Sequence, residues 1–179
     1  MAPADPIPPP PIPPSRLIIR GARVENLLAL VALERLSFER PRGEQWLRSW
    51  NRKPDHYLAT ILLREDAPFW SHALAPSERV IGYFAFRAEN YAVRLARLAV
   101  HPHFRRRGVG RAALDNLSSA IVRHNRISAI VRETDLAAQL FFRACSWRCA
   151  STWPGRFGRE DGLYFVRWPR RPAEAKAPA

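Results

Sequence analysis

The chain has 179 residues, 47% hydrophobic and 25% charged, which is typical of one globular domain that hides about 70% of its unfolded surface. The formal net charge is +13, and all but two of the 29 basic residues are arginines scattered along the chain. This is compatible with contact to nucleic acid or the ribosome and with a genomic bias toward arginine. The two cysteines, Cys145 and Cys149, fit neither a redox pair nor a zinc site and are too few for a disulfide scaffold, so we expect reduced thiols in the cytoplasm.

The N-terminus, MAPADPIPPPPIPP, contains eight of the 17 prolines and lacks the apolar segment of a secretory signal. We expect residues 1–15 to form a disordered, polyproline-like arm, either solvated or bound by a proline-recognising partner. Residues 169–179 are expected to be a disordered tail, which leaves 16–168 as the folded domain. No stretch approaches the roughly 20 apolar residues of a membrane span, so no membrane contact is expected.

Hydrophobic periodicity predicts the elements of the first half of the domain. A short strand at 17–20 precedes an amphipathic helix that ends at Phe38, and a second, short helix follows Gly43. The segment HYLATILL predicts a strand, and a loop with Pro68 and Pro76 follows it. RVIGYFAFRA and YAVRLARLAVHP, joined at Asn90, predict an antiparallel pair of strands.

The second half begins with a helix predicted from Gly108 to about Arg123, followed by a strand in ISAIV. Asp135 is expected to cap a helix in LAAQLFFRA, and two short strands in WRCASTW and LYFVRW complete the domain. The element order β-α-α-β-β-β-α-β-α-β-β favours an α/β fold with a mixed, mostly antiparallel twisted sheet flanked by helices.

The segment HPHFRRRGVGRAAL places arginines and glycines between a predicted strand and a predicted helix. A helix N-terminus attracts phosphate, because its first N–H groups are unpaired and its dipole is positive there. Glycines at 108 and 110 would remove Cβ atoms from the path of a phosphate, although such loops are often only solvated turns. The segment lacks the GxxxxGK[ST] pattern of a Walker loop, and it lacks the third glycine of a dinucleotide-binding fingerprint. The added positive charge comes from Arg105, Arg106, Arg107 and Arg111.

LARLAVHPHFRRRGVGRAAL resembles the acetyl-CoA-binding motif of the GNAT N-acetyltransferase superfamily, R/Q-x-x-G-x-G/A after a strand ending in AVHP. Arg105, Gly108 and Gly110 stand at its defining positions. VALERLSFERP, VRETDLAAQLFFRACSW and GREDGLYF resemble segments of the ribosomal-protein alanine N-acetyltransferase branch. The resemblance covers roughly residues 17–168. It implies an acetyl-CoA-dependent transferase that acetylates a primary amine, with a protein or peptide N-terminus as acceptor and a ribosomal protein among the candidate partners.

The resemblance also assigns roles to residues. Main-chain groups of Leu98, Ala99 and Val100 would face the acetyl and pantetheine portion of acetyl-CoA. Asp135 replaces an asparagine that helps to bind the cofactor, and its charge is less favourable near phosphates. The diphosphate would be held by the loop residues Arg105, Arg106, Arg107, Gly108, Val109, Gly110 and Arg111.

Two positions depart from the branch pattern. Ile130 stands where the branch has a glutamate that accepts a proton, and Phe142 stands where it has a tyrosine that donates one. Glu133 is a weak substitute base, because strand alternation would turn it away from the face of Ile130. Glu34 is a candidate for acceptor recognition or a surface ion pair. Cys145 is either near the departing thiolate or simply a packed thiol.

An acceptor must be neutral to attack a thioester, so its pKa decides how much catalysis is needed. Neutralising a lysine at pH ~7.5 costs about 4 kcal/mol, against about 0.5 kcal/mol for an α-amine. Without a base, the sequence therefore favours an N-terminal α-amine. One alternative is a catalytically impaired relative that binds acyl-CoA. A second, less favoured alternative is a basic module that binds nucleic acid or the ribosome. For the transferase itself, no direct contact with nucleic acid is expected. No histidine has metal-ligand spacing, so no metal site is predicted.

Overall fold

The computed structural model describes residues 9–65, 77–121 and 126–168. Seven strands in these ranges form one sheet in the order β1-β2-β3-β4-β5-β7-β6. Every neighbouring pair is antiparallel except β4 and β5, which are parallel, so the predicted mixed sheet is confirmed. The strands are β1 (Leu17–Gly21), β2 (His56–Glu65), β3 (Ser77–Glu89), β4 (Ala92–Val100), β5 (Arg126–Arg132), β6 (Arg148–Trp153) and β7 (Gly162–Arg167).

Four α-helices flank the sheet, in the predicted chain order. They are α1 (Leu27–Ser37), α2 (Glu44–Arg52), α3 (Val109–Ala120) and α4 (Leu136–Ala144). Short 3-10 turns precede β1, α1 and the loop before α3. The predicted end of α3 near residue 123, the loop with Pro68 and Pro76, and the tail at 169–179 lie outside the described residues.

The sheet separates two hydrophobic cores, because successive strand residues point to opposite faces. On β3, Phe84 belongs to the core beneath α3 and α4, whereas its neighbours Tyr83 and Ala85 belong to the core beneath α1 and α2. The first core also contains Leu114, Phe142 and Phe165 among its buried residues. Leu30, Leu33 and Leu47 supply the helical side of the second core.

Part of the N-terminal arm packs against the domain. Ile12 is only 7% exposed and belongs to the core beneath α3 and α4. Its N–H donates to the Arg107 carbonyl at 3.0 Å, and Arg107 Nε donates to the Pro10 carbonyl at 3.0 Å. The expectation of a disordered arm therefore does not hold for residues 10–12, because burial of one apolar side chain among the prolines fixes them. Residues 1–8 lie outside the described residues.

Candidate active site

The centre of the sheet opens where β4 and β5 separate. These parallel strands pair from Ala92 with Arg126 to Leu95 with Ala129, and both strands then continue without pairing to each other. A register shift between β3 and β4 just after this point leaves an extra residue, Ala96, in β4. A bulge of this kind bends the strand, which directs it away from its parallel neighbour. The result is a gap between the carboxyl ends of β4 and β5.

The predicted acetyl-contacting residues lie along this gap. Leu98, Ala99 and Val100 pair with β3 on one side and have no strand partner on the other. Ala99 is buried, whereas Leu98 and Val100 are half-buried. Peptide groups that point away from β3 are thus available to a ligand, apart from the Val100 carbonyl, which accepts a hydrogen bond from Arg105 Nε at 2.9 Å.

The N-terminus of α3 stands beside the gap and carries no side-chain cap. The first backbone hydrogen bond of the helix runs from the Ala112 N–H to the Gly108 carbonyl at 3.0 Å. The N–H groups of Val109, Gly110 and Arg111 are therefore without partners among the described residues. Free N–H groups at the positive end of a helix dipole form a site for an anion.

The two glycines of this loop serve different purposes. Gly108 has a φ of 81°, a left-handed conformation that side chains disfavour, and no atom lies within 4 Å of where its Cβ would stand. At Gly110 a Cβ would lie 3.0 Å from the ring of Phe141 on α4. The interpretation that both glycines clear space for a phosphate is thus corrected at Gly110, which allows α3 and α4 to pack closely.

Arg105 fixes the loop to its surroundings. Besides the bond to Val100, its Nη2 donates to the Leu36 carbonyl at 3.3 Å and to Ser37 Oγ at 3.2 Å. The guanidinium therefore joins the end of β4 to the end of α1. Its five donors in a rigid fork suit this bridging contact.

The other arginines of the loop divide into two kinds. Arg107 is bonded to Pro10, and Arg111 Nη2 donates to the Ala144 carbonyl at the end of α4 at 2.6 Å. Arg106 is exposed and forms no hydrogen bond or ion pair with the described part of the chain. It is thus the loop arginine whose guanidinium is free for an anionic ligand.

The positions of the missing acid and base are apolar in the structure too. Phe142 is 6% exposed and its ring stacks on Phe165 and tilts against Trp147, with centroids 5.6 and 4.8 Å away. Ile130 is half-buried, pairs with Tyr164 of β7 and follows Ala129, the last residue of β5 that pairs with β4. An apolar side chain therefore stands where the gap begins.

Glu133 lies just beyond β5, so the alternation argument does not apply to it. Its carboxylate accepts the Asp161 N–H at 2.9 Å, and its own N–H donates to the Asp161 carbonyl at 3.1 Å. These bonds tie the end of β5 to the residue before β7. The side chain thus has a structural partner.

Glu34 is fully buried, so its interpretation as a surface ion pair is wrong. Its carboxylate accepts hydrogen bonds from the Tyr83 hydroxyl and the Arg42 N–H. Arg97 Nη2 forms an ion pair with Glu34 Oε2 at 3.4 Å. Burial, with Glu34 adding to it, raises the pKa of Tyr83, which keeps its hydroxyl a donor. The Arg97 guanidinium also stacks over Phe38 at 4.0 Å. The carboxylate thus holds together α1, β3, β4 and the segment before α2.

The remaining candidates have local roles. Cys145 is 3% exposed, and burial raises the pKa of its thiol, as expected for a packed cysteine. Asp135 Oδ1 accepts the Ala138 N–H at 2.9 Å, so the predicted cap of α4 is confirmed. His101 Nδ1 accepts the His103 N–H at 3.3 Å, and desolvation followed by the charge of His103 lowers the pKa of His101. The described ranges contain no cluster of ligands that would hold a metal ion.

Sequence reasoning missed the residues that act through contacts distant in sequence. Tyr83 reads as an ordinary member of an alternating strand, and nothing local identifies its carboxylate partner. Phe141 reads as part of the inner face of α4, without reference to Gly110. For the packing of the N-terminal arm the sequence does contain a signal, because Ile12 is an apolar residue that interrupts a run of prolines.

Residues 29–147 match the Acetyltransferase (GNAT) family. The chain belongs to this family. The match includes most of α1, the gap between β4 and β5, the loop before α3, and α4. Acetyltransferases of this family use acetyl-CoA, which suits a site that combines free helix N–H groups with unpaired strand edges. A comparison with curated protein sequences gives no match.

Solved structures share the fold at low sequence identity. The ribosomal-protein-S18-alanine N-acetyltransferase from Escherichia coli has a TM-score of 0.65 and 18% identity, over 89% of this chain and 97% of that one. Arabidopsis thaliana NAA60, in complex with a bisubstrate analogue, has a TM-score of 0.68 and 18% identity, over 85% and 98%. Spermidine N-acetyltransferase from Vibrio cholerae, in complex with CoA and spermine, has a TM-score of 0.66 and 16% identity, over 87% and 96%. None of the helices in the described ranges has the length and hydrophobicity of a membrane span.

Replacing the buried carboxylate tests the role of Glu34. Glu34→Ala leaves the Tyr83 hydroxyl, the Arg42 N–H and the Arg97 guanidinium without this partner, so the free energy of unfolding should fall by about 3–5 kcal/mol. Tyr83→Phe removes one bond and leaves the carboxylate two partners, so the loss should be about 1.5–3 kcal/mol. Urea denaturation measures both values. Equal losses below about 1 kcal/mol would contradict a structural role for the carboxylate.

The contact between Gly110 and Phe141 can be tested by a double-mutant cycle. Helix propensity alone would favour Gly110→Ala by about 1 kcal/mol, but the methyl group would overlap the ring. We expect a net destabilisation of about 1–3 kcal/mol, which the smaller side chain of Phe141→Leu should partly relieve. Chemical denaturation of the single and double variants gives the coupling. Additive effects of the two substitutions would show that the residues do not compete for space.

Proposed function

We propose that the protein transfers the acetyl group of acetyl-CoA directly to the α-amine of a protein N-terminus. The observation that carries this proposal is the gap between β4 and β5, which opens directly beside the uncapped start of α3. A ligand with an anionic end and an acylated end would meet free N–H groups at one end of this gap and unpaired strand groups along it.

The residues present fit acetyl-CoA. The N–H groups of Val109, Gly110 and Arg111, with the free guanidinium of Arg106, would hold the diphosphate. Main-chain groups of Leu98 and its neighbours up to Val100 would orient the thioester. When bound, acetyl-CoA supplies an activated acetyl group, so the protein needs no covalent intermediate of its own.

The apolar side chain of Ile130 at the start of the gap supports an α-amine acceptor. Desolvation disfavours a charged ammonium group and so lowers the pKa of an amine that approaches an apolar surface. An α-amine is already substantially neutral near pH 7.5, whereas a lysine would need a base. Proximity and orientation then contribute without proton transfer by the protein. Proteins that share this fold include enzymes named for ribosomal-protein-S18 alanine and for spermidine, so the fold supports an amine acceptor and the pKa argument selects among amines.

A second candidate function is acyl-CoA binding without turnover. It is favoured by the absence of proton-transferring side chains at Ile130 and Phe142. Acetyl-CoA binding combined with no release of thiol for any amine would support it over the transferase. Binding to nucleic acid through the loop is less favoured, because Arg105, Arg107 and Arg111 already donate to protein carbonyls. We propose the cytoplasm as the location on the basis of the reduced cysteines.

Separate substitutions of Arg106 and Arg105 distinguish an arginine that binds the ligand from one that anchors the loop. Arg106→Ala should weaken acetyl-CoA binding about tenfold, as expected for one charge-assisted contact, and leave the melting temperature nearly unchanged. Arg105→Ala should lower both affinity and melting temperature, because this arginine joins β4 to α1. Arg52→Ala on α2 is the control of equal charge change. Calorimetry with acetyl-CoA and thermal denaturation give the two readouts. Equal affinities for the Arg106 and Arg52 variants would refute the placement of the diphosphate.

The pH dependence of the reaction tests the α-amine proposal. With a peptide acceptor, kcat/KM should rise with pH through one ionisation near the acceptor pKa of about 7.7–8.0. Changing the peptide's first residue should move the ionisation with the pKa of the new α-amine. A peptide with a blocked N-terminus and one lysine should react roughly 300-fold more slowly at pH ~7.5, from the difference in neutral fraction. An ionisation that stays fixed across acceptors would instead reveal a base on the protein.

A further inference from the structure

We propose that residues 10–12 form a strap that sets the shape of the loop before α3 and thereby raises its affinity for acetyl-CoA. The strap is defined as Pro10, Pro11 and Ile12, which lie against Arg107. The effect on affinity rests on the proposed function, whereas the effect on the loop does not.

Two hydrogen bonds attach the strap to one residue of the loop. The Ile12 N–H donates to the Arg107 carbonyl, and Arg107 Nε donates to the Pro10 carbonyl, both at 3.0 Å. Proline has no N–H, and residues 8–14 are all prolines except Ile12. Ile12 is thus the one residue in this run that is able to donate a backbone hydrogen bond.

The composition of the strap lowers the entropic cost of holding it in place. Prolines fix φ, so less conformational freedom is lost when the segment is ordered. Burial of the Ile12 side chain, which is 7% exposed, contributes the apolar contact that a run of prolines alone would lack. The segment thus acts as a stiff tether with a single apolar anchor.

The loop needs external support because its backbone is strained. Arg106 has a φ of 59°, a left-handed conformation that is unfavourable for a residue with a side chain. Gly108 is also left-handed, with a φ of 81°. Strained residues persist when surrounding contacts fix them. Arg107 lies between these two residues and is the one that the strap holds.

The orientation of one peptide group connects the strap to the anion site. In a trans peptide the carbonyl and the N–H point in opposite directions. Because the Arg107 carbonyl points at the strap, the N–H of Gly108 points away from it, and the carbonyl oxygen is kept from facing the start of α3. A peptide that turned over would bring a partial negative charge toward the diphosphate.

Two substitutions at Ile12 separate the hydrogen bond from the apolar contact. Ile12→Pro removes the N–H but keeps an apolar ring and suits the polyproline conformation, whereas Ile12→Ala keeps the N–H and loses most of the side chain. We expect calorimetry to show acetyl-CoA bound about fivefold to tenfold more weakly by Ile12→Pro than by the unchanged protein, with Ile12→Ala between them. Hydrogen exchange at the Ala112 amide, which donates to the Gly108 carbonyl at 3.0 Å, should be faster in Ile12→Pro, because the loop that carries this carbonyl is less well held.

The possible outcomes separate this inference from the proposed function. If the unchanged protein binds acetyl-CoA and Ile12→Pro binds it with the same affinity as the unchanged protein, the strap has no such role. If the unchanged protein does not bind acetyl-CoA, the proposed function fails, and hydrogen exchange alone decides. Faster exchange at the Ala112 amide in Ile12→Pro supports the strap, and unchanged exchange overturns it. Should Ile12→Pro fail to fold, Ile12→Gly in the full chain takes its place in both measurements, because it removes the apolar anchor and makes the tether more flexible.

Discussion

The separation of β4 from β5 is the structural constraint on which the site depends. These strands form the one parallel pair of the described sheet, and their pairing ends at Leu95 and Ala129. A parallel pair requires a crossover connection, and α3 is the helix of that crossover. The bulge at Ala96 opens the gap, and the crossover that follows β4 places an uncapped helix N-terminus at its edge. The gap and the proposed anion site therefore lie next to each other.

Three of the four arginines of the loop donate hydrogen bonds to carbonyl groups of the protein itself. Arg105 and Arg107 use their donors on carbonyls of β4, α1 and the strap, while Arg106 remains free. Each of these bonds limits the movement of a loop whose backbone is left-handed at two positions. A preorganised loop loses less entropy when it binds an anion, so under the proposed function the anchoring arginines would assist binding without touching the ligand.

The side chains near the gap suit an acceptor whose amine is already neutral at physiological pH and needs no base from the protein. The buried carboxylate of Glu34 is engaged by Tyr83, Arg42 and Arg97, so it links the elements that carry these residues. Ile130, next to the last residue of β5 that pairs with β4, has no group that could accept or donate a proton. The proposed reaction therefore relies on the acceptor's own pKa together with the positioning of the two substrates.

The sequence by itself determined the order of elements, the mixed sheet, the loop before α3 and the cap at Asp135, because these follow from periodicity and short-range hydrogen bonding. The glycine-rich loop could also be assigned to the family motif from its residues alone. Only the tertiary structure decided that Glu34 is buried against Tyr83, that Gly110 makes room for Phe141, and that Ile12 is held by the loop. In each case the deciding contact joins residues far apart in sequence, and no local pattern records which side chain will fill the space opposite.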